Sequence, residues 1–487
     1  TGELRHVRRF ERTGWADVEA KVEAKAEDEA EPLPQSQARS QPVFLIPGRE
    51  PPGVIVRLPR KLPYRLDPGA DLGRGLAAFE AALTSLEPWR TTVVAAALFE
   101  APLARLAGWG GERYGVFITG RSGSLKTSVT QALLAIYGAG FLEDEYLLKL
   151  GEGATRNAIM GYATQAHDLP FFLDNFKANT GDGARGLVNL IHNLLEGGDR
   201  ERMLGSSDVK ESRPIHCWPV FTGEDVPAND PATLARVLVV PFEWPHGADN
   251  PRLTAAQAAA ADLPAVGRAW LDWLATPAGW EVAATAGQQL PELRRRQVAA
   301  LRSLRGDMVN PLRVATNLAT NALTWWALTQ HPQLGPLAVR YAAEHEAGLA
   351  RVAAEMVERT SQAQEAMRFL DALRGLLAAG RCVLVPRGQE ATVTPERVIG
   401  WEAEDGSAYL APALARAAVE AVLGPDGLNG ISNQALYSQL ASLGWLASHD
   451  ADRRTRKLRA GPLTGNVLHL TAAALRGDGE ESEEEVA

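Results

Sequence analysis

The chain has 487 residues, 46% apolar and 22% charged, which is the usage of a globular protein with room for about three domains. Collagen-like, mucin-like and wholly disordered classes are excluded. Two cysteines, Cys217 and Cys382, cannot build a disulfide framework or a four-thiolate zinc site, so both are expected to be ordinary buried thiols of a cytoplasmic protein. No run of about 18 apolar residues is present, so no membrane contact is expected, and the first residues lack the apolar stretch of a secretory signal. Thr1 stands where a Met would begin, which points to a chain taken from a longer polypeptide. The net charge of −9 is concentrated at one end: the last eleven residues carry six acids, which leaves −3 for the body. Of 50 basic residues only eight are lysine, a bias expected of a GC-rich coding sequence, so each lysine position is informative.

In chain order, residues 1–42 read as a charged arm, with helical character to about residue 32, followed by a linker. Residues 43–110 read as short strands around a Pro-Gly turn and then helices with apolar residues at three- and four-residue spacing. Residues 111–245 alternate strands and helices, the pattern of an α/β core. Residues 246–375 are helical in period, with Trp270, Trp273, Trp325 and Trp326 expected as packing residues. Residues 376–476 mix short strands with two helices and a basic hairpin, in the order of a winged helix. Residues 477–487 are a solvated acidic tail.

The sharpest feature is an apolar strand, Val116 to Ile118, running into Gly120-Arg121-Ser122-Gly123-Ser124-Leu125-Lys126-Thr127-Ser128 and then an amphipathic helix. Consecutive backbone N–H groups at a helix N-terminus wrap a phosphate, Lys126 is placed to bridge the outer phosphates, and the Thr127 hydroxyl to hold Mg²⁺. Leu125 replaces the second glycine of the usual G-x-x-x-x-G-K-[ST] pattern. A Cβ there is expected to cost about 1–2 kcal/mol if the loop needs positive φ.

Forty-eight residues after Lys126, a buried strand ends in Asp174, the expected Mg²⁺ carboxylate, followed by Asn175. An amide can position water but cannot accept its proton, so Glu143, Asp144, Glu145 and Glu224 are all open as the missing acid. A third strand ends in Thr222, placed to sense the γ-phosphate. Arg236 precedes a fourth strand and could stabilise transition-state charge in a neighbouring subunit, with Arg200 and Arg202 as competitors. Arg200, Arg202, Lys210 and Arg213 share a Gly/Ser-rich loop suited to tracking a DNA backbone. Arg453, Arg454, Arg456, Lys457 and Arg459 make a second candidate phosphate-contacting surface.

In order and spacing, GRSGSLKTS, LLKLGEGATRNAIMGYATQAHDLPFFLDNFK, the basic loop and WPVFTGED resemble the superfamily 3-like (AAA+/P-loop) primase-associated helicase ATPases of phages, plasmids and integrative mobile elements. The resemblance covers about Leu72 to Trp244, with the C-terminal stretch also similar. It implies an α/β P-loop ATPase core with flanking helical regions and a C-terminal winged-helix-like domain. It further implies ATP and Mg²⁺ as cofactors and a homo-oligomeric ring, a hexamer, on single-stranded or forked DNA. A primase-polymerase would be the partner. Nucleotide binding carries onto Gly120, Gly123, Lys126 and Thr127, Mg²⁺ onto Asp174, sensing onto Thr222 and the finger onto Arg236. Leu125 and Asn175 depart from the pattern and leave open a slowly hydrolysing, ATP-assembled DNA-binding ring. A P-loop ATPase acting on protein is the remaining alternative.

Overall fold

The computed structural model describes residues 7–17, 42–149, 154–176, 181–196, 214–224, 226, 231–245, 247–304, 310–386, 397–424, 428, 431–442, 444–448, 454–460 and 463–476. The chain opens with β1 (Arg8–Phe10), β2 (Gly14–Asp17), β3 (Pro42–Leu45) and β4 (Val54–Val56), then α1 (Leu72–Leu83) and α2 (Pro88–Leu106). An alternating stretch follows: β5 (Gly115–Thr119), α3 (Lys126–Leu134), α4 (Arg156–Ala163), β6 (Pro170–Phe176), α5 (Gly181–Glu196), β7 (Trp218–Gly223), α6 (Pro231–Leu234) and β8 (Val237–Pro241). Next come α7 (Pro251–Ala258), α8 (Pro264–Leu274), α9 (Pro277–Ser303), α10 (Pro311–Thr329), α11 (Gly335–Arg340) and α12 (Ala342–Ala378). The last elements are β9 (Val383–Pro386), β10 (Val398–Glu402), β11 (Ala408–Leu410), α13 (Pro412–Leu423), α14 (Asn433–Ser442), β12 (Leu446–Ser448), β13 (Arg456–Ala460), β14 (Leu463–Leu470) and α15 (Ala472–Arg476).

The central sheet is four parallel strands in the order β6-β7-β5-β8. Its strands are near-continuous apolar runs because helices cover both faces. The chain leaves β5 toward β6 on one side and later places β8 on the other. The direction of winding therefore switches beside β5, and in open α/β sheets the crevice at such a point is where ligands bind. An edge segment extends the sheet past β6: Lys149 bridges Asp174 in parallel, and the Asp174 N–H donates to Leu148 O at 2.9 Å.

Helix α2 lies under this sheet and is buried on every side from Arg90 to Ala104; most of that run is apolar, and its polar members, Arg90, Thr91, Thr92 and Glu100, are each hydrogen-bonded. Pro102 inside it has no N–H for the carbonyl four residues earlier. That carbonyl, Leu98 O, instead accepts from the Tyr137 hydroxyl at 3.1 Å, and Phe99 O accepts from Trp270 Nε1 at 3.1 Å. The buried polar backbone around the proline is thus satisfied by side chains from two other elements.

One apolar cluster runs from Trp15 to Val357, so the segments 43–110, 111–245 and 246–375 share a core. Trp270, Trp273 and Trp325 are buried in it, and Trp326 packs against it. A second cluster runs from Ala366 to Ala474 around a sheet of order β12-β14-β11-β10-β9, with β13 paired to β14. Helix α12, about 55 Å long at 1.5 Å per residue, contributes its first half to one cluster and its C-terminal turns to the other.

The start of the chain departs from the expected arm. Within residues 7–17, β1 pairs in parallel with β4 and β2 antiparallel with β3, so the strands around the Pro-Gly turn do not pair with each other. The cause is Trp15, fully buried, edge-on to Phe44 at 5.1 Å, with its indole N–H on Pro102 O at 2.7 Å. Its backbone N–H donates to Asp168 Oδ2 at 3.0 Å. The rest of the expected arm, 1–6 and 18–41, and the acidic tail lie outside the described residues.

Beside β5, two buried titratable groups, Glu100 and His345, and the half-buried His216 give the core a defined pH response. Glu100 accepts from the Tyr114 hydroxyl at 2.7 Å, Tyr114 accepts from Asn321 Nδ2 at 2.8 Å, and Asn321 Oδ1 meets His345 Nε2 at 3.0 Å. Burial pushes the Glu100 carboxyl up to about 8 and His345 down to about 3. His216 falls to about 4 through burial and then the charge of His167, whose ring lies 4.7 Å away. The raised acid holds a proton that the unfolded chain releases, so its contribution declines as pH rises from about 4.5 to 8. The depressed histidines contribute stability that is lost as pH falls below about 6.5. Each group has a limiting slope of about 1.4 kcal/mol per pH unit, so the depressed histidines, buried His331 and His469 among them, outweigh one acid below about 6.5, and the acid opposes them as pH rises further. Melting temperature is therefore expected to peak near pH 6.5, and Glu100→Gln should flatten the decline between pH 6.5 and 8.

Candidate functional site

At the carboxyl ends of β5, β6 and β7, residues Ser122 to Ser128, Asp174, Asn175 and Thr222 to Glu224 line an open cavity of about 280 Å³. The loop joining β5 to α3 is held by backbone geometry. Gly120 has φ +152°, and a Cβ there would fall 2.2 Å from Phe242 O and 2.7 Å from Ser124 Oγ. Gly123 has φ +82°, and Leu125 is left-handed at φ +60° immediately before the first residue of α3. The strain expected at Leu125 is thus present, about 1–2 kcal/mol, and its side chain packs against the main core in partial compensation.

Lys126 Nζ reaches back across the loop to Gly120 O at 2.7 Å and Arg121 O at 2.8 Å. Its pKa is lowered by burial, against the opposing charges of Glu224 and Asp174. The Thr127 hydroxyl donates to Asp174 Oδ1 at 2.7 Å, and the Thr222 hydroxyl donates to the same oxygen at 2.5 Å. Thr222 Oγ1 in turn accepts the Asn175 N–H at 3.2 Å. The pairing of β6 with β7 is irregular between Leu173 and Phe176, and Asn175 has φ +62°. Such an irregularity re-aims side chains at a strand end, and asparagine is among the few residues that take left-handed φ easily.

Nine-tenths buried or more, Asp174 gathers two hydroxyls on one oxygen. A carboxylate beside a threonine hydroxyl is a hard-oxygen set, suited to a Mg²⁺ that completes its shell with phosphates and water. Among the described residues no group of three or more His, Cys, Asp or Glu converges, so this set fits a metal carried in with phosphate oxygens.

The structure brings Gly120, Ser122, Gly123, Ser124, Leu125, Lys126, Thr127, Ser128, Asp174, Asn175 and Thr222 to one edge of the sheet, together with Glu224, one of the four open acids. Of the four open acids, Glu145 is instead paired with Arg60 at 3.1 Å, and neither Glu143 nor Asp144 lines the cavity. Arg236 lies elsewhere. It immediately precedes β8, at the end of the sheet opposite the cavity, and its Nη2 meets Glu196 Oε1 at 2.6 Å. The five-residue length of β5 sets it about 16 Å from its own chain's loop.

Arg113, which no sequence motif marks, is buried and donates to the carbonyls of Ile215 at 2.5 Å and Leu195 at 2.9 Å. Its cation thereby holds the C-terminal end of α5, where the helix dipole favours it. Its signal in the sequence is slight, a lone arginine before an apolar strand.

Arg200, Arg202, Lys210, Arg213 and Arg453 lie outside the described residues. Arg454, Arg456 and Lys457 are exposed at the start of the β13–β14 hairpin. Successive strand residues face opposite ways, so Arg456 and Lys457 take different sides of the hairpin rather than one continuous surface. Arg456 Nη1 donates to Ser448 Oγ at 3.1 Å.

No protein-family profile matches the chain, and no curated protein matches it in sequence. In fold it is similar to a solved structure described as an SCCmec type IV Cch active helicase, at 14% identity and a TM-score of 0.48, over 88% of this chain and 75% of that one. The chain is a mixed α/β protein with a parallel central sheet and many helices. Among the described residues no helix is long and apolar enough to cross a membrane.

Proposed function

We propose that the chain is an ATP-driven DNA translocase or helicase of the superfamily 3-like kind, hydrolysing ATP at the carboxyl edge of the central sheet. The observation that carries this reading is the convergence of Lys126, Thr127, Asp174 and Thr222 on one cavity at the N-terminus of α3. Lys126 would exchange its loop carbonyls for phosphate oxygens, and the loop N–H groups would take the remaining charge. Thr127 and Asp174 would hold Mg²⁺, which when bound supplies charge neutralisation between the outer phosphates. Thr222, fixed on Asp174, would couple the state of that carboxylate to the end of β7. Arg236 would act on a neighbouring subunit's nucleotide in a ring, which requires release from Glu196. The exposed cations of the β13–β14 hairpin, on a winged-helix-like unit, would contact DNA phosphates, with the mobile-element replication setting following from the sequence resemblance.

A second reading has its own support. Asn175 cannot accept a proton, so a ring that binds ATP to assemble on DNA and turns over slowly also fits. Both readings require the hairpin to meet phosphates. Arg456→Ala/Lys457→Ala is expected to weaken single-stranded DNA binding at low salt. Because the two side chains take opposite sides of the hairpin, one of them faces a given strand, and the slope of log affinity against log salt should fall by about 0.7, the value of one phosphate contact. An unchanged affinity and slope would remove the hairpin from the DNA path.

A further inference from the structure

A hydrolytic site needs a group to take the proton of the attacking water, and the residue after Asp174, where that group is expected, is an amide. Asp174 is itself a poor candidate. It is buried, and one of its oxygens already accepts both threonine hydroxyls. Among the described residues the cavity is lined by one other carboxylate, Glu224.

The sheet places Glu224 well for the task. β7 lies between β5 and β6, and its last residue, Gly223, stands opposite Thr119 on one side and Phe176 on the other. Glu224 therefore leaves the sheet at its middle, one strand spacing of about 4.8 Å from the root of the lysine loop and from the strand end bearing Asn175. It is exposed and lines the cavity. It shares the cavity with Lys126, the side chain that would hold the outer phosphates. An amide and a carboxylate on two neighbouring strands thus border the same cavity, a pair able to orient a water and to take its proton.

We propose that Glu224 is the general base of ATP hydrolysis in this chain, an assignment that rests on the ATPase reading above. The water oxygen forms a bond to the γ-phosphorus as the bond from that phosphorus to the β–γ bridging oxygen breaks. The water proton passes to the Glu224 carboxylate, and ADP leaves with the bond's electron pair.

The test compares wild type, Glu224→Gln and Glu224→Asp in single-turnover hydrolysis of radiolabelled MgATP, with nucleotide Kd measured in parallel. Glu224→Gln is expected to bind MgATP within about threefold of wild type while its hydrolysis rate falls by about 100-fold or more. It should also lose the acid limb of the pH–rate profile, which a merely structural residue would keep. Glu224→Asp should fall between. Wild-type turnover that Glu224→Gln reproduces within threefold overturns the assignment and leaves the ATPase reading standing. Wild-type protein that binds MgATP without hydrolysing it overturns the assignment and favours the assembly reading. Absence of MgATP binding by wild type overturns both readings of the site.

Discussion

Lys126→Ala is expected to abolish measurable ATP turnover, a fall in kcat of at least about 10²–10³-fold, the usual loss when one preorganised donor to developing charge is removed. The ammonium sits at the base of the cavity with two loop carbonyls as its near partners, so deletion removes a charge without breaking a packed core. Lys126→Arg should fare little better, because a planar fork does not fit a position shaped for a compact ammonium between two carbonyls. Circular dichroism and melting temperature should match wild type within a few degrees, which separates lost chemistry from lost structure. Turnover within tenfold of wild type in Lys126→Ala would place ATP chemistry elsewhere.

Trp15→Ala carries the largest expected effect on stability, about 3–5 kcal/mol for removing a fully buried indole. The loss comprises the cavity, the edge-on contact with Phe44, and the indole hydrogen bond to Pro102 O. It would also loosen the contact at Asp168, which receives the Trp15 N–H from across 153 residues of sequence. The urea midpoint of the first core should fall in proportion, with little change in slope. Trp15→Phe should recover part of the packing but not the hydrogen bond. A midpoint unchanged in Trp15→Ala would mean that β1 and β2 are not integral to the core.

These two residues mark how unevenly the fold can be read from sequence. Lys126 was legible because its function depends on local spacing: strand, glycine turn and helix fall within a dozen residues. The same locality made Leu125 legible as a strained position, and its φ of +60° bears this out. Trp15 was hidden because β1 and β2 are three and four residues long, too short for periodicity, and their stability comes from partners far along the chain. A single tryptophan amid charged residues was the available signal. The buried tryptophans Trp270, Trp273 and Trp325 were readable because helical spacing repeats over many turns. Strand order was not readable, since it depends on which crossovers the chain takes. With it went the choice of acid: Glu224 stands apart from Glu143, Asp144 and Glu145 only once β7 is placed between β5 and β6. The position of Arg236 at the far end of β8 is hidden for the same reason.

The most direct test of the central claim is steady-state ATP hydrolysis by the wild-type chain, measured with and without single-stranded DNA at fixed Mg²⁺ and low salt. Mg²⁺-dependent turnover is expected to rise several-fold on adding DNA, with the stimulation fading as salt weakens phosphate contacts. Turnover indifferent to DNA at every salt concentration would contradict a DNA-driven motor.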